Sequence, residues 1–168
     1  MKLLHFGEYK GRSFEWLLFN KPQYVQWIHT EDTNGNWIWH NPDDEVYFNE
    51  LYRRASHLTG VCPWCKQRAF TRMCLIYEHG SDRLNSVSFD CDDCGYVGGE
   101  PVSYELPSFF TLDKLPRCQQ LWIVHAIKRS FIGDGKLTQK KMEEFFQTDQ
   151  FFPDATPGFF DEYKEQAA

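Results

Sequence analysis

A chain of 168 residues is long enough for one domain or a compact set of small ones, and its 42% apolar and 17% aromatic content gives ample material for a core. The formal net charge of −6 falls as −2 in each of residues 1–60, 61–100 and 101–168. That excludes a chain that coats nucleic acid through bulk charge, so any such contact must come from a local patch. No run approaches the ~20 apolar residues of a membrane span, and the start, Met1 to Gly7, turns polar too soon for a signal peptide. The expected compartment is therefore the cytoplasm, with no membrane partner, where paired cysteines point to metal rather than to disulfides.

In chain order, the pattern predicts an α+β fold. Its parts are a small amino-terminal strand-helix unit (1–60), a central β-hairpin module (61–100) and carboxy-terminal helices with an acidic, aromatic tail (101–168). Leu3–Tyr9 reads as a short strand and Lys10-Gly11 as a turn. Ser13 caps a helix over Phe14–Phe19, and Pro22 opens another through Ile28. Thr30–Asn36 reads as a polar loop, followed by Trp37-Ile38-Trp39 as a strand or aromatic anchor. Asn41 caps the next helix, with Asp43, Asp44 and Glu45 in its first turn. Val46, Leu51, Tyr52, Ala55 and Leu58 form its apolar side, and Arg53 and Arg54 lie near the end, where cations meet the helix dipole favourably.

Ala69–Tyr77 and Ser86–Asp90 alternate like strands around a turn-rich segment, as in a hairpin. Pro116 opens a helix through Phe131, closed by Gly133. Thr138 caps a last helix, with Leu137 and Met142 at the spacing of a hydrophobic staple. The tryptophans Trp16, Trp27, Trp37, Trp39 and Trp122 are expected in the core, and Trp64 at the surface.

Cys62-Pro63-Trp64-Cys65 and Cys91-Asp92-Asp93-Cys94 are two C-x-x-C knuckles separated by 25 residues. A two-residue spacer lets both sulfurs of a knuckle converge on one ion, and two knuckles complete a tetrahedral shell. The spacing predicts a zinc ribbon in which Cys62, Cys65, Cys91 and Cys94 hold one structural Zn2+, with no coordination position left open for catalysis. Cys74 and Cys118 lack such partners and read as small buried thiols.

A second pattern is Phe6-Gly7-Glu8-Tyr9-Lys10-Gly11-Arg12-Ser13-Phe14, followed by Tyr24-Val25-Gln26-Trp27-Ile28. It resembles the small domain at the carboxy terminus of exodeoxyribonuclease X-like proteins and of related short bacterial and phage proteins. The matches are Phe6, Gly7, Lys10, Gly11, Phe14, Tyr24 and Trp27, over roughly residues 4–30. Glu8 departs from it, where that family commonly carries lysine, and so does the longer insert Trp16–Lys21. The resemblance implies an accessory module of nucleic-acid enzymes, and the exonuclease's acidic catalytic domain has no counterpart here. Read physically, Gly7 and Gly11 permit tight turns that bring Lys10 and Arg12 near exposed amides. Such a turn suits a phosphate, and equally suits two solvated cations.

Two further basic islands follow. Arg68 and Arg72 would share one face of the hairpin with Phe70, a surface suited to stacking on unpaired bases or to ordinary half-burial. Lys136, Lys140 and Lys141 cluster at the start of the last helix, where the dipole does not favour cations, which gives binding a reason. No catalytic motif is present. The expectation is thus an accessory nucleic-acid-binding zinc-ribbon protein, with enzymatic activity left open. Its partner would be DNA ahead of RNA, or a protein of a nucleic-acid-processing system. The alternatives are an adapter or inhibitor that docks through segments such as Phe159–Tyr163, and a metal-dependent nuclease with an unrecognised carboxylate cluster.

Overall fold

The computed structural model describes residues 2–36, 38–58, 65, 70–77, 79–80, 84–91, 94–95, 102–104, 109–110, 124, 127–128, 132–133, 135–149, 152 and 155–161, with backbone alone for 70–77, 84–89 and 102–104. Trp37, Cys62, Trp64, Arg68, Pro116, Cys118, Trp122 and the end of the Phe159–Tyr163 segment, all named above, lie outside the described residues.

The expected strand Leu3–Tyr9 is instead one arm of a turn. The Leu4 amide donates to the Arg12 carbonyl (2.8 Å) and the Gly11 amide to the Leu4 carbonyl (2.7 Å), while Leu3 and Ser13 form a single antiparallel bridge. Gly7 and Gly11 sit at φ 68° and 85°, so the chain reverses too sharply to extend a ladder. Ser13 then caps α1 (Phe14–Asn20), its Oγ accepting from the Trp16 amide at 3.2 Å.

Pro22 opens α2 (Pro22–Thr33), which runs past the expected end at Ile28. The Thr30 and Thr33 hydroxyls donate back to the Gln26 and His29 carbonyls (3.0 and 2.7 Å), so these polar residues continue the helix rather than forming a loop. Asp32 accepts from the indole of Trp39 (2.6 Å), which makes Trp39 a buried anchor.

α3 (Pro42–Ser56) begins as expected, with Asn41 Oδ1 accepting from the Asp43 amide at 3.0 Å. Its buried side differs. Tyr47, Phe48, Leu51 and Ala55 face the core, whereas Val46 is 51% exposed. Val46 lies five residues before Leu51, about 140° round the helix, so the two cannot share a face.

Arg54 corrects a larger expectation. It does not meet the helix dipole at the surface; its side chain is fully buried. Nε donates to Glu50 (2.8 Å), Nη1 to the Phe146 carbonyl (2.8 Å), and Nη2 to the Thr156 carbonyl (3.1 Å) and to Asp149 (2.8 Å). Phe152 and Phe160 lie against the guanidinium with centroids at 5.3 and 4.7 Å. Arg53 also holds Glu50, and the Thr156 amide donates to it at 3.3 Å. Removing the guanidinium would leave Glu50 to Arg53 and the Thr156 amide and strand the Phe146 and Thr156 carbonyls, a loss of about 1–3 kcal/mol for each buried acceptor left unsatisfied; the Asp149 arm, partly exposed, adds little.

β1 (Phe70–Tyr77) and β2 (Leu84–Cys91) form the expected antiparallel hairpin, from Phe70 opposite Cys91 to Tyr77 opposite Leu84. A third strand, β3 (Val102–Tyr104), pairs antiparallel on the other side, giving the order β2-β1-β3. Helices with an antiparallel sheet make the fold α+β among the described residues.

Near 124–133, Val124 and Ile127 are helical and buried, and the Gly133 amide reaches back to the Lys128 carbonyl at 3.0 Å, the closure expected there. α4 (Gln139–Gln147) is capped by Thr138, whose Oγ1 accepts from the Lys141 amide at 3.3 Å. It buries Met142, Phe145 and Phe146. Phe19 of α1 meets Phe109, Phe145 and Phe146 edge-on at 5.0, 5.9 and 5.8 Å, T-shaped contacts worth about 0.5–1.5 kcal/mol each beyond area burial. Phe160 is buried beside Tyr47 (5.0 Å), so that part of the expected docking segment packs on its own chain. No helix among the described residues is long and apolar enough to cross a membrane.

One buried acid sets a pH dependence. Glu15 of α1 accepts from the Tyr47 hydroxyl at 2.5 Å, and among the described residues no donor reaches its Oε2. Burial raises its pKa above the ordinary 4.5, with a smaller push from the Glu143 charge and opposition from the Tyr47 hydrogen bond. The folded state therefore keeps this proton to higher pH than the unfolded chain. Its contribution to stability is complete below about 4.5 and is lost as pH rises through the elevated folded value. Glu15→Gln keeps the Tyr47 acceptor and removes the titration. Its thermal midpoint should exceed wild type at neutral pH and converge with it in acid; an offset independent of pH would contradict this assignment.

Candidate nucleic-acid interface and metal centre

The hairpin carries the metal-ligand chemistry. Cys91 ends β2 opposite Phe70, and Cys94 follows in a turn that Gly95 completes at φ 66°. Cys65 reaches the same point from before β1. The three thiols lie within 4.8 Å of one another, with Cys65 and Cys91 sulfurs 3.6 Å apart. That is far beyond a disulfide bond of about 2.05 Å and close to the ~3.8 Å that two sulfurs adopt on a tetrahedral ion with 2.3 Å bonds. Three of the four cysteines expected to act together are thus gathered where they can hold a metal ion; Cys62 lies outside the described residues. Cys91 is buried, Cys65 half-buried and Cys94 exposed.

The second site is built by the 4–12 turn on α1 and α2. Gly7 is essential to it: besides its positive φ, a methyl group there would overlap the Tyr24 hydroxyl. The Glu8 backbone amide hydrogen-bonds that same hydroxyl, while burial and the Glu8 carboxylate raise the Tyr24 pKa. This docking sets Tyr9 edge-on to Tyr24 (4.8 Å), with Trp16 of α1 on one side of Tyr9 (6.3 Å) and Trp27 of α2 beyond Tyr24 (5.1 Å).

Cations lie over this row. The Arg12 guanidinium is 4.7 Å from the Trp16 centroid, and Lys21, at the junction of α1 and α2, is 5.4 Å from that of Tyr9. Trp27 is 44% exposed, against its expected place in the core, and Tyr9, Trp16 and Tyr24 are half-buried.

Lys10 and Arg12 are accordingly exposed and share this turn. Lys136, Lys140 and Lys141 are also exposed, around the start of α4, with Lys140 3.6 Å from Glu144. Arg68 lies outside the described residues. Arg72 takes its place in β1 opposite Asp90, with its backbone alone described.

The residues that sequence reading missed here are Lys21 and the rings of Tyr9, Trp16 and Trp27. The signal for Trp27 was its i,i+3 spacing from Tyr24 among polar neighbours, which places both on one outward face.

Elsewhere, His29 lies flat on Tyr52 (3.7 Å), which stacks on Phe110 (4.5 Å); burial lowers the His29 pKa. Asp44 is buried between Lys2 (3.1 Å) and His5 (3.6 Å).

Cys91→Ser is the test of the metal centre. Wild type should carry about one metal ion per chain, and the variant should lose it. Dispersed amide signals of 70–91 should collapse while the helical circular dichroism of α1–α3 persists, and unchanged metal content by elemental analysis would contradict the site. In comparisons with known proteins, the chain matches no family model, no curated protein and no solved structure.

Proposed function

We propose that this chain is an accessory nucleic-acid-binding protein whose central hairpin is a zinc ribbon, held by one structural Zn2+ on Cys62, Cys65, Cys91 and Cys94. Four thiolates are a soft, closed donor set that suits zinc and leaves no position for substrate. The metal's part is to fold the hairpin, not to react.

The observation that carries the binding assignment is the gathering of Lys10 and Arg12, on the turn that Gly7 and Gly11 build, with Lys21 from the junction of α1 and α2, two of the three cations lying over aromatic rings. On a chain of net charge −6, such an excess is local, as a phosphate contact requires. The amino-terminal resemblance to the exodeoxyribonuclease X-like accessory domain supports the same reading. Arg68 and Arg72 on the hairpin, and Lys136, Lys140 and Lys141 at α4, are assigned as further phosphate contacts. DNA is the favoured partner.

The test is fluorescence anisotropy with labelled oligonucleotides across a salt series. Log affinity should fall linearly with log salt concentration. Lys10→Ala/Arg12→Ala should weaken binding uniformly across sequences and flatten the slope by about 1.4 for a single strand, two contacts' worth. Absence of binding, or binding without a salt slope, would favour a protein adapter instead.

A further inference from the structure

We infer that the row Trp16, Tyr9, Tyr24 and Trp27 is a stacking platform for unpaired bases, so that the nucleic acid bound at the Lys10 turn is a single strand. This rests on the proposed binding function and adds its substrate class. Each ring's centroid lies within 6.3 Å of the next. The row is formed by three separate parts of the chain, each fixed independently. Tyr9 is held by the turn, Trp16 by the Ser13 cap at the start of α1, and Tyr24 with Trp27 by the i,i+3 spacing on α2.

Tyr9, Trp16 and Tyr24 are half-buried against the core, and Trp27 is the ring left at the surface. Trp27 stays 44% exposed, although indole has more area to gain from burial than any other side chain. No aliphatic side chain belongs to the row. The exposed Trp27 indole offers a π-face on which a base of any sequence can stack, while Arg12 caps the Trp16 ring and Lys21 the Tyr9 ring.

Charge decides between a nucleic acid and an acidic peptide together with that shape. Lys10, Arg12 and Lys21 flank the rings, and Arg12 adds a planar guanidinium over Trp16 that can itself stack on a base. Opposing them, Glu8 sits by Tyr24. The phosphate path therefore follows the Arg12–Lys21 side, and the bases turn toward the rings. Duplex DNA keeps its bases paired and cannot use the row.

The experiment measures full-length protein against labelled oligo(dT), a duplex of equal length and poly-glutamate, at one fixed salt concentration, for wild type, Trp27→Ala and Trp27→Phe. Trp27 is exposed, so both variants should keep wild-type thermal midpoints, and the phenylalanine variant retains a stacking face. The expected result is tighter binding to oligo(dT) than to duplex, weakened about tenfold by Trp27→Ala and nearly restored by Trp27→Phe, with duplex affinity unchanged throughout. If Trp27→Ala binds oligo(dT) as wild type does, the platform is overturned while the charge-based reading stands. If poly-glutamate binds in a Trp27-dependent way, the surface takes an acidic polypeptide and the inference is overturned. If wild type binds neither nucleic acid, the platform and the proposed function fall together.

Discussion

The interaction on which the architecture depends is the buried guanidinium of Arg54. A charged side chain with no solvent exposure is tolerable only when each donor finds an acceptor, and this one does so by drawing distant parts of the chain together. Glu50 comes from its own helix, the Phe146 carbonyl from the end of α4, and the Thr156 carbonyl from the segment that carries Phe152 and Phe160. Phe19, Phe109, Phe145 and Phe146 then fill the space between α1 and α4. The carboxy-terminal segment is thereby committed to the amino-terminal helices, and α1, which supplies Trp16, is packed from both sides.

That rigidity matters at the surface. A stacking face is useful only if its rings are already in place, because ordering them on binding would consume affinity. Gly7 provides the last constraint, since the turn can lie on the Tyr24 hydroxyl only where no Cβ intervenes. The cysteine centre is a separate device on the hairpin. Its three described sulfurs converge where β2 ends beside β1, so a bound ion would fasten that end of the hairpin.

What could be read from the sequence was what local chemistry decides. Ser13, Asn41 and Thr138 cap helices in the structure because their side-chain oxygens need only the next few amides. The hairpin strands were visible in their alternation, and the cysteine pairs in their spacing. What escaped depends on contacts distant in sequence. Arg54 looked like an ordinary helix-end cation because its partners lie about a hundred positions away. Val46 and Trp27 were assigned to the core by residue type, when helix rotation alone turns them outward. β3, with three residues, has no periodicity to detect. Nothing local marks Glu15 as buried, because its cover, Tyr47, comes from another helix. The candidate site is legible in the sequence as Lys10 and Arg12 but not as a row of rings, because the row exists only once turn, α1 and α2 have come together.

The most direct measurement of the central claim, that this turn-and-helix surface engages nucleic acid through its rings, is a titration of the isotope-labelled protein with oligo(dT) followed at the indole N–H resonances. Trp16 and Trp27 should shift progressively, while Trp39, whose indole is committed to Asp32, should stay fixed. Stationary Trp16 and Trp27 signals at saturating oligonucleotide, with movement confined to the amides of 136–141, would contradict the account.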